Sequence, residues 1–534
     1  MQWEHQIKEA YLKQQKSVFV LHGNSNDIFH CNDDELYLAD YLSRNLFAKR
    51  EIVFTFNIGT GITFRDQHSK SEFQKLLHGL GALHGKDYSG DLPADSGDVM
   101  RIIDRYLRTS GKDKSVALII EHADLLIPNE ELASLSIGDK KTLITLHEWA
   151  RSKEIRQNDH TIVLVCESVS QLHRTVTGNP DITKIEVEFP SEKERKKTIR
   201  TYLKAYNVAT SLSQKAMSKL VNGLNRKDIR DICHAHKNNR LQEELLAGMK
   251  KGLIEKDAGE FIEFVETDRD LSDVAGHERA KKRLREDAEL IKKGLLSVVP
   301  MGYLICGPVG TGKTYLGECF AGEVGIPVIK LKNFREKWVG QTEANWEKIL
   351  RTLQNLSPVV VMIDEADAAL GNREQEGDSG TSKRVFSSLA ATMGDTRNRG
   401  KLIWMLLTAR PELLPVDLKR QGRAEVHIPL FYPKNFKEKQ IFFEILAKKH
   451  EIEGFAALLG GSTNEMLSEI RSGADIESVL ITFKREKILN SSVDEVELFR
   501  SIIGRFCSSL DPEEVEKQVQ AALDEVTDME LVED

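Results

Sequence analysis

The stretch "VVVMIDEADAAL", Val359 to Leu370, runs from five apolar residues into the adjacent acids Asp364 and Glu365. A short run of this kind fits a strand of a parallel sheet, buried on both faces, with its chemistry at the tip. A second stretch, "VALIIEHADLL" from Val116 to Leu126, has nearly the same outline but carries Glu121 and His122 where the acid pair stands. One strand pattern therefore occurs twice, once with its chemistry altered.

Similar neighbours surround each copy. The first half reads "SVFVLHGNSNDIF" (Ser17–Phe29), a glycine-rich polar stretch, "VALIIEHAD", "TIVLVCES" (Thr161–Ser168) and a helical region ending in "LNRKDIRDI". The second reads "GYLICGPVGTGKTYLG", "VVVMIDEAD", "KLIWMLLTARP" and "SGADIESVL". Short β-branched strands separated by amphipathic stretches are the signature of a doubly wound parallel sheet with helices on both faces. The pattern predicts two α/β modules in tandem, each a parallel-sheet domain with a small helical domain. The join falls where "MKKGLIEKDAGEFIEFVETDRD" mixes charge and glycine without a sustained apolar period. The expected divisions are a first module over 1–245 (its sheet region over 1–190, its helical region over 191–245), a linker over 246–270, a second core over 271–430, a helical lid over 431–505 and a solvated acidic tail over 506–534. Gly23 and Glu121 are much farther apart than Gly307 and Asp364. Most of the excess lies between "GTGITFRDQHSK" and "HGKDYSGDLPADSG", which predicts a mobile insertion.

Composition narrows the function classes. The 534 residues are 40% hydrophobic and 30% charged, enough for several cores, and the net charge of -8 provides no global basic field for nucleic acid or anionic lipid. The start, "MQWEHQIKEAYLKQQK", has no apolar core, and no run approaches the about 20 apolar residues that cross a bilayer, so no membrane span and a cytoplasmic location are expected. Six scattered cysteines without a CxxC pair fit reduced thiols, and Cys233, His234 and His236 of "CHAH" would fan around a helix rather than converge on a metal.

"GPVGTGKT" follows an apolar strand and precedes a helix-compatible stretch, the context in which such a loop cradles phosphate. Gly307, Pro308, Val309, Gly310, Thr311 and Gly312 would turn backbone N–H groups inward, and the helix that begins with Lys313, Thr314 and Tyr315 would add its N-terminal dipole. Lys313 reaches the outer phosphates and Thr314 is a magnesium ligand. Asp364 at the strand tip suits direct or outer-sphere contact with the same Mg2+, and Glu365 is placed to deprotonate a water attacking the γ-phosphate. The combination reads as ATP or GTP hydrolysis.

Across residues 270 to 490 these motifs resemble the AAA family of AAA+ ATPases. "LSDVAGHERAKKRL" resembles the family's entry segment, which implies that Asp273, Val274, Ala275 and Gly276 lie along the adenine of ATP. "LKRQGRAEV" is similar to the family's "RPGRFD" element and makes Arg420 and Arg423 arginine fingers acting on the next subunit. "SGADIESVL" resembles the lid motif, with Gly473 and Ala474 near adenine and ribose. The family's "TNRP" is "TARP" here: Ala409 stands in the slot of the phosphate-sensing asparagine, and Thr408 is expected to supply a hydroxyl instead. "REKWVGQTEANWEKIL" resembles the segment with the pore loop, so Lys337, Trp338, Val339 and Gly340 are expected to grip substrate.

The first module reads "HGNSNDIFH" at the loop position, with no lysine, so a triphosphate would meet Asp27 in place of a cation. It is expected to be a degenerate AAA-like module kept for its shape. The resemblance implies a homo-oligomeric ring, a hexamer, that remodels, unfolds or disassembles a protein substrate. A slow nucleotide-dependent scaffold or switch acting on a partner is the alternative. A nucleic-acid motor or loader is disfavoured by the acidic balance and the lack of a basic, aromatic-interleaved stretch.

Overall fold

Strands buried on both faces form the centre of each half of the molecule. The computed structural model describes residues 1–14, 16–31, 34–84, 96–110, 114–332, 342–370, 380–453, 455–458, 467, 470–489 and 494–532. By contacts the chain divides into two units, Met1–Leu253 and Ile254–Asp534.

In the first unit, β1 (Val18–Gly23), β2 (Ile52–Asn57), β3 (Gly61–Phe64), β4 (Val116–Ile120), β5 (Thr161–Val165) and β6 (Ile182–Val187) form one sheet in the order β3-β2-β4-β5-β1-β6. Only the β2–β3 pair is antiparallel. Every residue of β4 and β5 is buried. Leu118, Ile120, Ile162 and Leu164 enter one core and Ala117, Ile119, Val163 and Val165 the other, as the two-residue period of a strand dictates.

The second unit has β7 (Ile262–Phe264), β8 (Gly302–Cys306), β9 (Val328–Leu331), β10 (Val359–Ile363), β11 (Leu402–Thr408) and β12 (Val426–Pro429), in the order β12-β8-β11-β10-β9-β7. Here the β7–β9 pair is antiparallel and the other pairs are parallel. From the opposite edge this is the order of the first sheet, strand for strand, so β4 and β10, the two copies of the repeated pattern, occupy the same place. Only the antiparallel edge strand comes from a different point in the chain, after β2 in one unit and before β8 in the other. Each unit adds a helical bundle with its own core. The first is built on Ile199, Tyr202, Met217, Ile229 and Ile232, and the second on Phe443, Phe455, Phe483 and Phe499. Cys233 is buried in the first bundle and His234 meets the Tyr206 ring edge-on, so "CHAH" is packing.

Three expectations need correction. Residues 246–270 are no linker: helix Glu243–Ala258 contains the boundary between the units, and Ile262 of β7 is buried in the second core. The helical spacing of Leu246, Leu253, Ile254 and Ala258 is masked by the charges between them. The insertion contains β3 and helix Gln67–His84, while 85–95 lies outside the described residues. The C-terminal segment is no solvated tail. Helix Pro512–Asp524, capped by Asp511, lays Ala522 fully buried against the sheet core, and Leu531 is buried beyond it. Glu525 pairs with Lys419, and its carbonyl accepts from the buried His427. Its many acids ride on the outer face, which is why composition alone concealed it. Among the described residues no helix is long and apolar enough to cross a membrane.

Deleting residues 511–534 is expected to lower the melting temperature of the second unit by about 4–8 °C, the shift for a loss of roughly 2 kcal/mol in a unit of this size. Calorimetry of the truncated chain checks this, since loss of a tail would leave the transition in place.

Candidate nucleotide site

The loop Gly307–Gly312 joins β8 to helix Lys313–Val324. Gly307 has φ +145° and a Cβ there would collide with the Leu430 carbonyl, so only glycine lets the loop leave the sheet beside β12. Lys313 folds back over the loop, its Nζ donating to the carbonyls of Gly307 (2.7 Å) and Pro308 (2.8 Å). Burial brings its pKa down to about 8, a desolvation that the nearby Asp364 and Asp367 carboxylates offset only in part.

The tip of β10 comes to the same place. Thr314 Oγ1 lies 3.2 and 3.1 Å from the two carboxylate oxygens of Asp364. A hydroxyl and a carboxylate are hard oxygen donors, so these residues fit a magnesium ion. Glu365 follows at φ +48° with its side chain exposed. A non-glycine residue in the left-handed region costs on the order of 1–3 kcal/mol. His122, after β4, has φ +49° at the matching position.

The entry segment and the lid close the other side. Val274 and Ala275 are buried, whereas Asp273 is exposed and its carboxylate accepts from Asp270 N at 3.0 Å. The buried His277, which sequence reasoning missed although it directly follows Gly276, places Nε2 3.1 Å from the Thr311 carbonyl, and burial lowers its pKa to about 4. A Cβ on Gly310 would stand 3.2 Å from Ser472 and 3.3 Å from Ala474, and Gly473 packs on Phe442. The Tyr315 ring lies 5.4 Å from the Arg269 guanidinium and 4.7 Å from the Lys449 ammonium. Two further residues were not legible: Tyr432 donates to the Val309 carbonyl, and Gln518 of the C-terminal helix accepts from Val309 N at 3.1 Å.

Thr408 is committed to a neighbour. Its hydroxyl donates to Asp367 at 2.8 Å and accepts from Arg410 N at 3.0 Å, while Arg410 Nε lies 3.3 Å from the same carboxylate. The two arginines of "KRQGR" are not equivalent. The Arg420 side chain is 59% exposed, but that of Arg423 is 11% exposed, bonds the Asp417 carbonyl and abuts Gly394. Lys337, Trp338, Val339 and Gly340 lie outside the described residues.

Residues 303–432 match the family model for the ATPase family associated with various cellular activities (AAA). The second unit contains an AAA ATPase domain. Residues 2–188 match the N-terminal Rossmann-like domain of AAA+ chaperones, and the tandem α/β architecture agrees with both matches. A cell division cycle protein 48 homolog of Archaeoglobus fulgidus is 26% identical, over 55% of this chain and 44% of its own length. The ATP-dependent zinc metalloprotease FtsH of Lancefieldella parvula is 29% identical, over 42% and 37%. An uncharacterized AAA domain-containing protein, ycf46, of Guillardia theta is 26% identical, over 61% and 65%. The chain thus spans less than half the length of the first two of these relatives.

The unit preceding the AAA ATPase domain fills its equivalent loop from within. Asp27 is fully buried, so it does not face outward toward a phosphate as expected. Its carboxylate accepts from Asn24 Nδ2 (2.9 Å), Ile28 N (2.8 Å), Arg226 N (2.7 Å), Lys227 N (3.1 Å) and Arg226 Nη1 (2.7 Å). The first two amides of helix Arg226–Ala235 thus find their anion inside the protein.

Two outcomes follow from these geometries. Only the ammonium form of Lys313 attracts phosphate, so ATP affinity is expected to fall as pH rises through about 8, approaching tenfold per unit above it; fluorescence titrations from pH 7 to 9.5 read this directly. Asp27→Ala leaves the buried Arg226 guanidinium to Glu194, 3.4 Å away, and the first amides of helix Arg226–Ala235 without their carboxylate; it should cost about 3–5 kcal/mol in urea denaturation of the full chain, whereas a peripheral residue would cost under about 0.5 kcal/mol.

Proposed function

We propose that this protein hydrolyses ATP with Mg2+, assembles as a homo-oligomeric ring, a hexamer, and uses the cycle to remodel, unfold or disassemble a protein substrate in the cytoplasm. The observation that carries it is the meeting of Lys313, Thr314, Asp364 and Glu365 where the loop after β8 faces the tip of β10.

In this mechanism Lys313 leaves the Gly307 and Pro308 carbonyls for the phosphates, which compensate its charge better. The loop amides and the N-terminus of helix Lys313–Val324 bind the remaining phosphate charge. Thr314 and Asp364 hold magnesium, which when bound neutralises charge on the β- and γ-phosphates. Glu365, turned outward by its left-handed backbone, accepts the proton of the attacking water. Gly276, Gly473 and Ala474 would lie along adenine and ribose, as the resemblance implies, with Gly310 letting the loop approach the lid closely. Arg420, standing in solvent, is the better placed of the two arginines to reach a neighbouring subunit's nucleotide, and Arg423 braces it from within. Trp338, with Lys337, Val339 and Gly340, grips the substrate chain. The relatives' names, which include an ATP-dependent protease, support ATP-driven work on proteins.

One observation favours slower turnover and the switch-like alternative. Ala409 offers no amide, and the Thr408 hydroxyl is already held by Asp367.

Glu365→Gln is expected to reduce ATP hydrolysis by about 10²–10⁴-fold while ATP still binds. Turnover of wild type in the presence of unfolded protein, of single-stranded DNA and of neither then separates the readings. Stimulation by protein supports remodelling, stimulation by DNA overturns it, and a slow unresponsive rate supports the switch. Wild-type turnover in Glu365→Gln would remove Glu365 from the role given to it.

A further inference from the structure

Strand β9 reads Val-Ile-Lys-Leu, which places a lysine between the parallel β10 and the antiparallel edge strand β7. Lys330 lies opposite Met362 of β10, two residues before Asp364, and its ammonium reaches forward to Asp364 Oδ2 at 2.7 Å. The same oxygen is 3.1 Å from Thr314 Oγ1. Both charged side chains are sheltered, Lys330 at 34% and Asp364 at 18% exposure, so water screens the pair only in part. The other lysine of the segment, Lys332, points to Glu263 of β7 at 3.4 Å and does not share Asp364.

The carboxylate assigned to magnesium thus already holds a cation of the chain itself. We propose that Lys330 is a positioning residue of the nucleotide site: a resident counter-cation of Asp364 that shares this carboxylate with magnesium and makes nucleotide binding less dependent on the metal. The inference rests on the nucleotide-site reading of Lys313, Thr314 and Asp364. Its physical basis is competition. One carboxylate that already compensates an ammonium attracts a divalent ion less strongly, and the ion must tolerate a like charge nearby. Conversely, without metal the ammonium keeps Asp364 from repelling an incoming triphosphate. Both effects act in the same direction on one quantity, the ratio of nucleotide dissociation constants without and with Mg2+.

The test is equilibrium binding of a fluorescent ATP analogue to the full-length chain, in EDTA and across a Mg2+ titration. Wild type, Lys330→Met, Lys330→Gln and Lys330→Arg are compared. Met conserves length and volume without charge, Gln keeps polarity without charge, and Arg keeps the cation. The expected result is a rise of about tenfold or more in the ratio for both neutral variants, with the Mg2+ midpoint moving to lower concentration, while Arg stays near wild type. A ratio and midpoint within twofold of wild type in either folded neutral variant overturns the proposal. So does a loss of affinity equal with and without Mg2+, which would mark Lys330 as a packing residue. If wild type binds no nucleotide under any condition, the site reading falls and this inference with it.

Discussion

The contact between Thr314 and Asp364 depends on strand order, and the rest of the site depends on that contact. β8 and β10 are not neighbours; β11 lies between them. All three are parallel, so their carboxyl ends emerge on one edge, where the loop after β8 and the tip of β10 converge at a point of the doubly wound sheet suited to ligands. Moving either strand one place would separate hydroxyl from carboxylate by a strand spacing of about 4.8 Å. The apolar uniformity of β8, β10 and β11 is what fixes this order, because each must be covered on both faces. The chemistry at the edge is thus secured by residues that take no part in it.

The two units show what that scaffold requires and what it leaves free. In the second unit, Ser472 and Asp475 form a reciprocal cap at the start of helix Gly473–Leu489, and the loop approaches this helix through Gly310. In the first unit Asn225 and Asp228 form the corresponding cap of helix Arg226–Ala235, and the loop approaches through Asp27. Small residues let the loop and the helix approach closely in one case; a carboxylate and a guanidinium occupy the approach in the other. This is the physical content of the altered repeat: the first unit closes its helical bundle on its sheet through its own Asp27 and Arg226.

Legibility followed sequence distance and contrast. Strands β4, β5, β8, β10 and β11 could be read because unbroken apolar runs have few other uses, and the phosphate loop because glycines, lysine and threonine at fixed spacing have one. The C-terminal segment reads as starting like a helix, but its packing could not be read, since Gln518 and Ala522 are the residues helix Pro512–Asp524 buries and its acids dominate the composition. Asp367, His277, Gln518 and Lys330 were missed because each acts through a partner remote in the chain, which spacing does not encode. The same limit explains the arginines. The resemblance treats Arg420 and Arg423 alike, but only the fold shows that Arg420 is 59% exposed while Arg423, 11% exposed, abuts Gly394, both lying beside Asp417 at 3.3 and 3.7 Å.

Glu365 and His122 bring these points together. Both residues follow an acid at the end of a buried strand, both adopt the left-handed conformation, and both lead directly into a short helix. A strained backbone kept at the same point in two units with different side chains belongs to the strand-to-helix turn and not to catalysis. Only in the second unit is the residue on this turn a carboxylate, and it follows an Asp364 that meets the Thr314 hydroxyl. Chemistry at this edge was therefore added to, or removed from, a geometry that the sheet maintains on its own, and for that reason a unit without the phosphate-loop lysine can retain the fold intact.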